Sequence, residues 1–394
     1  MRDAEQAVLG ALAQDRLVAL AQDLIRAPGA NPPGEEEATA TVLAQAARVL
    51  GLEVDTVAVE PGRPNVRCRL AAGPGPGLLF LGHTDVVPPG DLDDWSDDPY
   101  AGQVVAGRLV GRGSADMLGG LAAVLVAMAA VREAGVQLSG PVLLDAVCDE
   151  EQNGIGIRSL IAQAAPDLLG CVVAEPTDLA TVVAARGASY LHIEVRGVSA
   201  HAGRPSDGRN AISGAARVVA DLDRWHAELA ADAHPLVGPA TVNVGVITGG
   251  ISGSAVPDLC TLEVDRRLLP GEPIGPVLDT VRDRLAELDL EAQGLSWSVC
   301  SPMDMPAFET DPQEALVRAC DAAVVDAGRA PGAVQGWTAA CDGGLVAQAW
   351  GIPVVVQGPG SVTEQAHRPD ESVAVEDLLL AARAYALTIV RMLG

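Results

Sequence analysis

The sequence predicts an α/β fold: a mostly parallel sheet with helices on both faces, interrupted by a smaller inserted α+β domain. Two patterns and the length carry this reading. Apolar segments at 77–82, 141–147, 170–174 and 352–357 recur between helical stretches with almost no polar alternation. Strands of that kind are buried on both faces, as in a parallel sheet covered by helices. Between 188 and 298 the rhythm changes to alternating, half-exposed strands in the order β-α-β-β-α-β, the split βαβ arrangement. A chain of 394 residues is long enough for two or three domains.

In chain order, residues 5–26 and 36–51 have helical spacing, and the buried strand around "LLFL" (78–81) follows. "MLGGLAAVLVAMAAVREAG" (117–135) reads as a long apolar helix ending at Gly135. In the insert, "SYLHIEVRG" (189–197) alternates as a strand and 209–230 is helical. "ATVNVGVITGG" (240–250) and "DLCTLEVDRRL" (258–268) are two further strands, followed by a helix at 274–290 and a strand at 295–301. The expected division is a discontinuous α/β domain, 1–187 with 299–394, around an insert at 188–298.

Composition narrows the function. Hydrophobic residues make up 49% of the chain, enough for a large core, but no apolar run reaches the ~18 residues of a membrane span. The opening "MRDAEQAVLGALAQDRL" mixes charge with apolar residues at helical spacing, unlike a signal peptide, so the cytoplasm is the expected location. A formal net charge of -26 repels nucleic acid and anionic lipid, which argues against both as partners. The seven cysteines are scattered, odd in number and without a CxxC, which disfavours a disulfide framework and a structural zinc site. No lysine occurs anywhere, so lysine chemistry is excluded.

In open α/β sheets the site lies beyond the carboxyl ends of the strands. After the strand at 78–81 come His83 and Asp85; after "PVLLDAV" come Asp149, Glu150 and Glu151; after "GCVVA" comes Glu175; after "IPVVV" a Gly-Pro-Gly loop leads to His367. Asp116 precedes the long apolar helix, where a helix N-terminus favours a carboxylate. Each residue alone has a plain alternative as a surface side chain, a solvated charge or a cap. Only six histidines occur, however, and two of them sit at strand-end loops among these acids. The His83–Asp85 pair fits a structural hydrogen bond, a hydrolytic triad or a metal ligand with its partner. A triad lacks its G-x-S-x-G elbow. Two imidazoles and three carboxylates suit zinc or similar ions. Five ligands exceed the three or four that one ion takes from protein, which favours two metals with a bridging carboxylate.

These motifs resemble those of the di-zinc amidohydrolases and peptidases grouped around acetylornithine deacetylase, succinyl-diaminopimelate desuccinylase, aminoacylase and glutamate carboxypeptidase, over almost the whole length. "GHTDVVP" is similar to the first metal motif, which implies His83 as ligand and Asp85 as its partner. "GRGSADMLGG" implies Asp116 as bridging ligand, and "DEE" implies Glu150 as general base beside the ligand Glu151. "AEPTD" implies Glu175, and "GPGSVTEQAHRPDE" implies His367, as the remaining ligands. In the insert, "RGVSAHAGRPSDGRNAI" resembles the stretch whose histidine, here His201, reaches an active site, that of the other subunit in dimeric relatives. "VDRRLLPGE" resembles the segment whose arginine, here Arg267, holds a substrate carboxylate, with Arg186 assisting. Two positions depart from the pattern: Leu118 stands where lysine is usual, and Ser254 stands in Ser254-Ala255-Val256-Pro257, where asparagine often comes before the Val-Pro of the insert.

The resemblance implies two divalent ions, zinc ahead of cobalt, in a homodimer whose insert serves as lid and dimerisation domain. The implied reaction is hydrolysis of the amide of an N-acyl amino acid or short peptide, with Glu150 moving the proton. The rivals are a dipeptidase or carboxypeptidase on the same scaffold and a metal-dependent binding protein that does not hydrolyse. Retention of Glu150 argues against the last, since binding alone needs no general base.

Overall fold

A computed structural model describes residues 3–394, which form two compact units. The first comprises residues up to 183, 310–335 and 345–394; the second comprises 184–309 and 336–344.

The first unit is built on a sheet in the spatial order Glu53–Glu60, Arg63–Leu70, Val142–Val147, Gly77–His83, Leu168–Val173, Val354–Val356, Val182–Ala185; the last of these strands crosses the unit boundary. The four strands at its centre, from Val142–Val147 to Val354–Val356, run parallel. The sequence explains their place. Gly77–His83 and Val142–Val147 are buried at every position, so neither strand can face water on either side. The outer hairpin is different: Glu53–Glu60 carries charge and is mostly exposed, and it pairs antiparallel with Arg63–Leu70.

Helix Leu118–Glu133 is apolar all round and buried from Leu118 to Val131. It packs against the strand Gly77–His83 and the long C-terminal helix Val375–Leu393. Leu118 itself is fully buried, with its side chain over Gly113, so an apolar residue suits the position where the resembled motif usually has lysine. The expected helix at 5–26 is two, Asp3–Ala11 and Gln14–Ile25, with Ala13 extended between them.

The second unit is an antiparallel four-stranded sheet in the order Thr241–Gly249, Leu259–Leu268, Gly187–Arg196, Ser296–Met305. Helices Ala211–Leu229 and Ile274–Glu287 complete the β-α-β-β-α-β order. Leu191, Ile193 and Val195 alternate inward with Leu262 and Val264, and meet Val218, Leu222, Val281 and Leu285 from the helices. The period of two also separates two adjacent arginines. Arg266 is fully buried, paired with Glu272 and lying over the ring of Trp225, whereas Arg267 is half-buried and bonded to Asp265.

Candidate metal centre

All four central parallel strands deliver a residue to one cluster. Gly77–His83 ends on His83 itself; Val142–Val147 is followed by Glu150 and Glu151, Leu168–Val173 by Glu175, and Val354–Val356 by the loop to His367. Asp116 enters from the segment that opens helix Leu118–Glu133. Asp116 stands between the two imidazoles: its Oδ1 lies 3.2 Å from His83 Nε2 and its Oδ2 lies 3.4 Å from His367 Nε2. Glu175 approaches His83 Nε2 at 3.5 Å, and Glu151 approaches His367 Nε2 at 3.0 Å. Donor atoms of His83, Glu150 and Glu175, and of His83, Asp116 and Glu151, lie mutually within 4.8 Å, close enough to hold a cation.

Electrostatics within the cluster point the same way. Burial alone would push the His83 imidazole down, but the hydrogen bond to Asp116 and the charges of Glu175, Glu150 and Asp85 hold it well above its ordinary value. Hydrogen bonds to Asp116 and Glu151 lift His367 to about 10. Burial pushes Glu175 well up, reinforced by the charge of Asp116, and Glu151 rises for the same first reason. Asp116 alone is held low, because both imidazoles outweigh its burial. His83, Glu151, Glu175 and the more exposed His367 thus all favour their protonated forms around Asp116. A donor set of two imidazoles and several carboxylates that gathers positive charge fits divalent cations of the zinc type.

Backbone contacts fix these groups. His83 Nδ1 meets the backbone carbonyl of Asp85 at 2.8 Å, while the Asp85 carboxylate stands 3.7 Å from the ring. That carboxylate instead accepts the N–H groups of Glu150 (3.2 Å) and Glu151 (3.1 Å). Asp85 therefore touches the histidine through its main chain and the two glutamates through its side chain, where the sequence suggested the ring alone. Glu371, fully buried and paired with Arg112 at 2.7 Å, accepts the N–H groups of Ala115 and Asp116 at 2.9 and 3.0 Å. Sequence reasoning missed both members of this pair. Their signal was faint: a charge two residues before Ser114 and another four after His367, with nothing local to join them.

A sequence model described as peptidase family M20/M25/M40 matches residues 79–391. The chain belongs to this family. Among curated proteins, acetylornithine deacetylase of Aliivibrio fischeri (strain ATCC 700601 / ES114) is 30% identical over 336 residues, 84% of this chain and 85% of the relative. N-formyl-4-amino-5-aminomethyl-2-methylpyrimidine deformylase of Bacillus subtilis (strain 168) is 28% identical over 394 aligned positions, 93% and 92% of the two chains. In structure, the Bacillus subtilis YXEP protein, described as a dinuclear metal binding peptidase from the M20 family, superposes with a TM-score of 0.73 at 17% identity, over 96% of this chain and 98% of that one. The protein is accordingly an M20-family hydrolase with a mixed α/β fold.

The other expected site residues of this M20 chain lie in the second unit. His201 is exposed in a short hairpin, opposite Ala255, with its Nδ1 accepting the Gly203 N–H at 3.0 Å. Ser254 is exposed, and its carbonyl accepts the N–H of Ala202. Arg186 donates from Nε to the Val237 carbonyl at 2.8 Å, and both its burial and the charge of Arg267 lower its pKa. The two arginines are thus close enough to feel each other. Six of the seven cysteines are buried, and only Cys300 is exposed. Among the described residues, no helix is long and apolar enough to cross a membrane.

Proposed function

We propose that this M20-family hydrolase is a two-metal amidohydrolase that removes the acyl group from an N-acyl amino acid. The observation that carries the reading is the position of Asp116, which offers one carboxylate oxygen to each of two imidazoles. His83 and Glu175 would hold one ion, His367 and Glu151 the other, with Asp116 shared. Bound there, the ions supply Lewis-acid polarisation and lower the pKa of water.

The chain's own groups do the rest. Glu150 accepts the proton of the attacking water on its carboxylate and returns it to the departing nitrogen. Asp85, through the Glu150 and Glu151 N–H groups, keeps the two adjacent glutamates apart in function, one as base and one as ligand. His201 donates to the carbonyl oxygen as negative charge develops there. Arg267, helped by Arg186, binds the substrate carboxylate, for which a guanidinium is geometrically suited. His201 is supplied across a homodimer, on the strength of the motif resemblance. Zinc is the metal favoured by the imidazole–carboxylate set, with cobalt able to replace it. Seven scattered, mostly buried cysteines without a CxxC suit a reducing cytoplasm.

The names of the two curated relatives, a deacetylase and a deformylase, support an acyl amide as the bond cleaved. The test couples metal analysis to a substrate panel. Purified protein reconstituted with zinc is expected to hold about two ions per chain, to lose turnover on chelation, and to regain it with zinc or cobalt. N-acetyl, N-formyl and N-succinyl amino acids are compared with dipeptides; turnover confined to dipeptides makes it a peptidase. Full activity without metal overturns the proposal.

A further inference from the structure

We propose that Asn31 is a positioning residue for Glu150, acting from a segment outside the family match, which begins at residue 79. The inference rests on the reading of Glu150 as general base. The chain at Gly29–Asn31 is clipped beside the strand-end loop by two backbone bonds, Val86 N–H to the Gly29 carbonyl (3.0 Å) and Asn31 N–H to the Val86 carbonyl (2.9 Å). This register sets the Asn31 side chain between two buried carboxylates. Its Nδ2 donates to Asp85 Oδ2 at 2.9 Å and to Asp149 Oδ1 at 3.0 Å.

Those two aspartates frame the Glu150–Glu151 backbone from both sides. Asp85 accepts the N–H groups of Glu150 and Glu151. Asp149 accepts the N–H groups of Asn153 and Ile155, each at 3.2 Å, and so closes the turn that follows. Asp149 also has φ of 66°, a left-handed conformation that a non-glycine residue keeps only when its surroundings hold it there. Arg63 extends the frame: it donates to Asp149 at 2.7 Å and to the fully buried Glu36 at 2.9 Å. Gly34 leaves the space, since a Cβ there would lie 2.5 Å from the Arg63 guanidinium carbon.

Asn31, Asp85 and Asp149 are 2%, 0% and 1% exposed, so water cannot replace a lost bond. An amide is the group that fits: it donates to both carboxylates without adding charge. Without it, Asp85 loses the donor on its Oδ2 and Asp149 is left with Arg63 on its Oδ1, and the two buried carboxylates can recover the lost bonds only by shifting the backbone that carries Glu150. The expected consequence is a misplaced base on an otherwise intact fold. Displacements of that size cost up to ~10²-fold in rate.

The test is a double-mutant cycle with Asn31→Leu and Glu150→Gln, read on zinc-reconstituted full-length protein and the best substrate of the panel. Asn31→Leu should keep its metal content and a KM within about twofold, and lose ~10–10²-fold in kcat. In the Glu150→Gln background the same change should cost less than about twofold, because the residue through which it acts is gone. Equal losses in both backgrounds, or a lowered Tm with unchanged kcat, overturn the proposal. If Asn31→Leu does not fold, Asn31→Ser, which retains one short donor in the same space, is read in the same cycle. A Glu150→Gln enzyme with normal turnover refutes the base assignment instead, so the two failures are distinguishable.

Discussion

Asp116 is the residue on which the cluster turns, since it faces His83 with one oxygen and His367 with the other. Without metal, the surrounding acids raise both imidazoles, His367 to about 10. Metal needs those rings neutral, so at pH 7 each binding event must expel protons. The sign follows: affinity weakens as pH falls, and calorimetry in buffers of different ionisation enthalpy should register net proton release on zinc binding. No release would mean that the rings are already neutral in the metal-free protein. Glu150→Gln should retain metal and substrate binding but lose ~10²–10⁴-fold in kcat, checked by steady-state kinetics beside metal analysis. The rule that chemistry follows strand ends points to His83, Glu150, Glu151, Glu175 and His367, because a strand end is visible in sequence as an apolar run that stops; Asp116 is signalled instead by the start of the long apolar helix. The rule gives no view of Arg112 and Glu371, or of Asn31 and Arg63. Those partners are joined by long-range contacts, and no spacing records a contact between residues so far apart in the chain.

At the scale of elements, helix Leu118–Glu133 sets how closely Asp116 can approach the strand ends. Gly120 lies against the loop of Glu175: a Cβ there would fall 2.3 Å from the carbonyl oxygen of Ala174. Gly120→Ala cannot be absorbed by a rotating side chain, because the obstacle is backbone. It should destabilise by ~1–3 kcal/mol, measured by denaturant titration, and weaken metal binding, since the helix that follows Asp116 must back away from Glu175. Unchanged zinc affinity in a folded Gly120→Ala protein would show that the helix is free to shift without moving Asp116. The four parallel strands were legible because full burial on both faces leaves an unbroken apolar run. The hairpin Glu53–Glu60 with Arg63–Leu70 was not, because its outer strand is exposed and charged. Three short strands, Gln103–Val105, Arg108–Val110 and Ser372–Ala374, pair into a separate small sheet and are too brief to show any period.

For the whole molecule, the proposed trans action of His201 makes a direct prediction about mixed dimers. Inactive His201→Ala subunits mixed with inactive Glu150→Ala subunits under exchange conditions test it. If His201 serves the partner's site, one site in each mixed dimer recovers both groups, and activity returns to about a quarter of wild type. A dead mixture, with exchange verified by mass, assigns His201 to its own chain or to no site. The discontinuity of the first unit has a further consequence, for synthesis. Glu151 and Glu175 precede the second unit in the chain, and His367 follows it. A growing polypeptide therefore exposes its acids long before the imidazole that closes the centre leaves the ribosome. On the proposed two-metal reading, metal capture would be a late event that follows completed translation, and a chain truncated ahead of His367 should emerge unable to hold both ions.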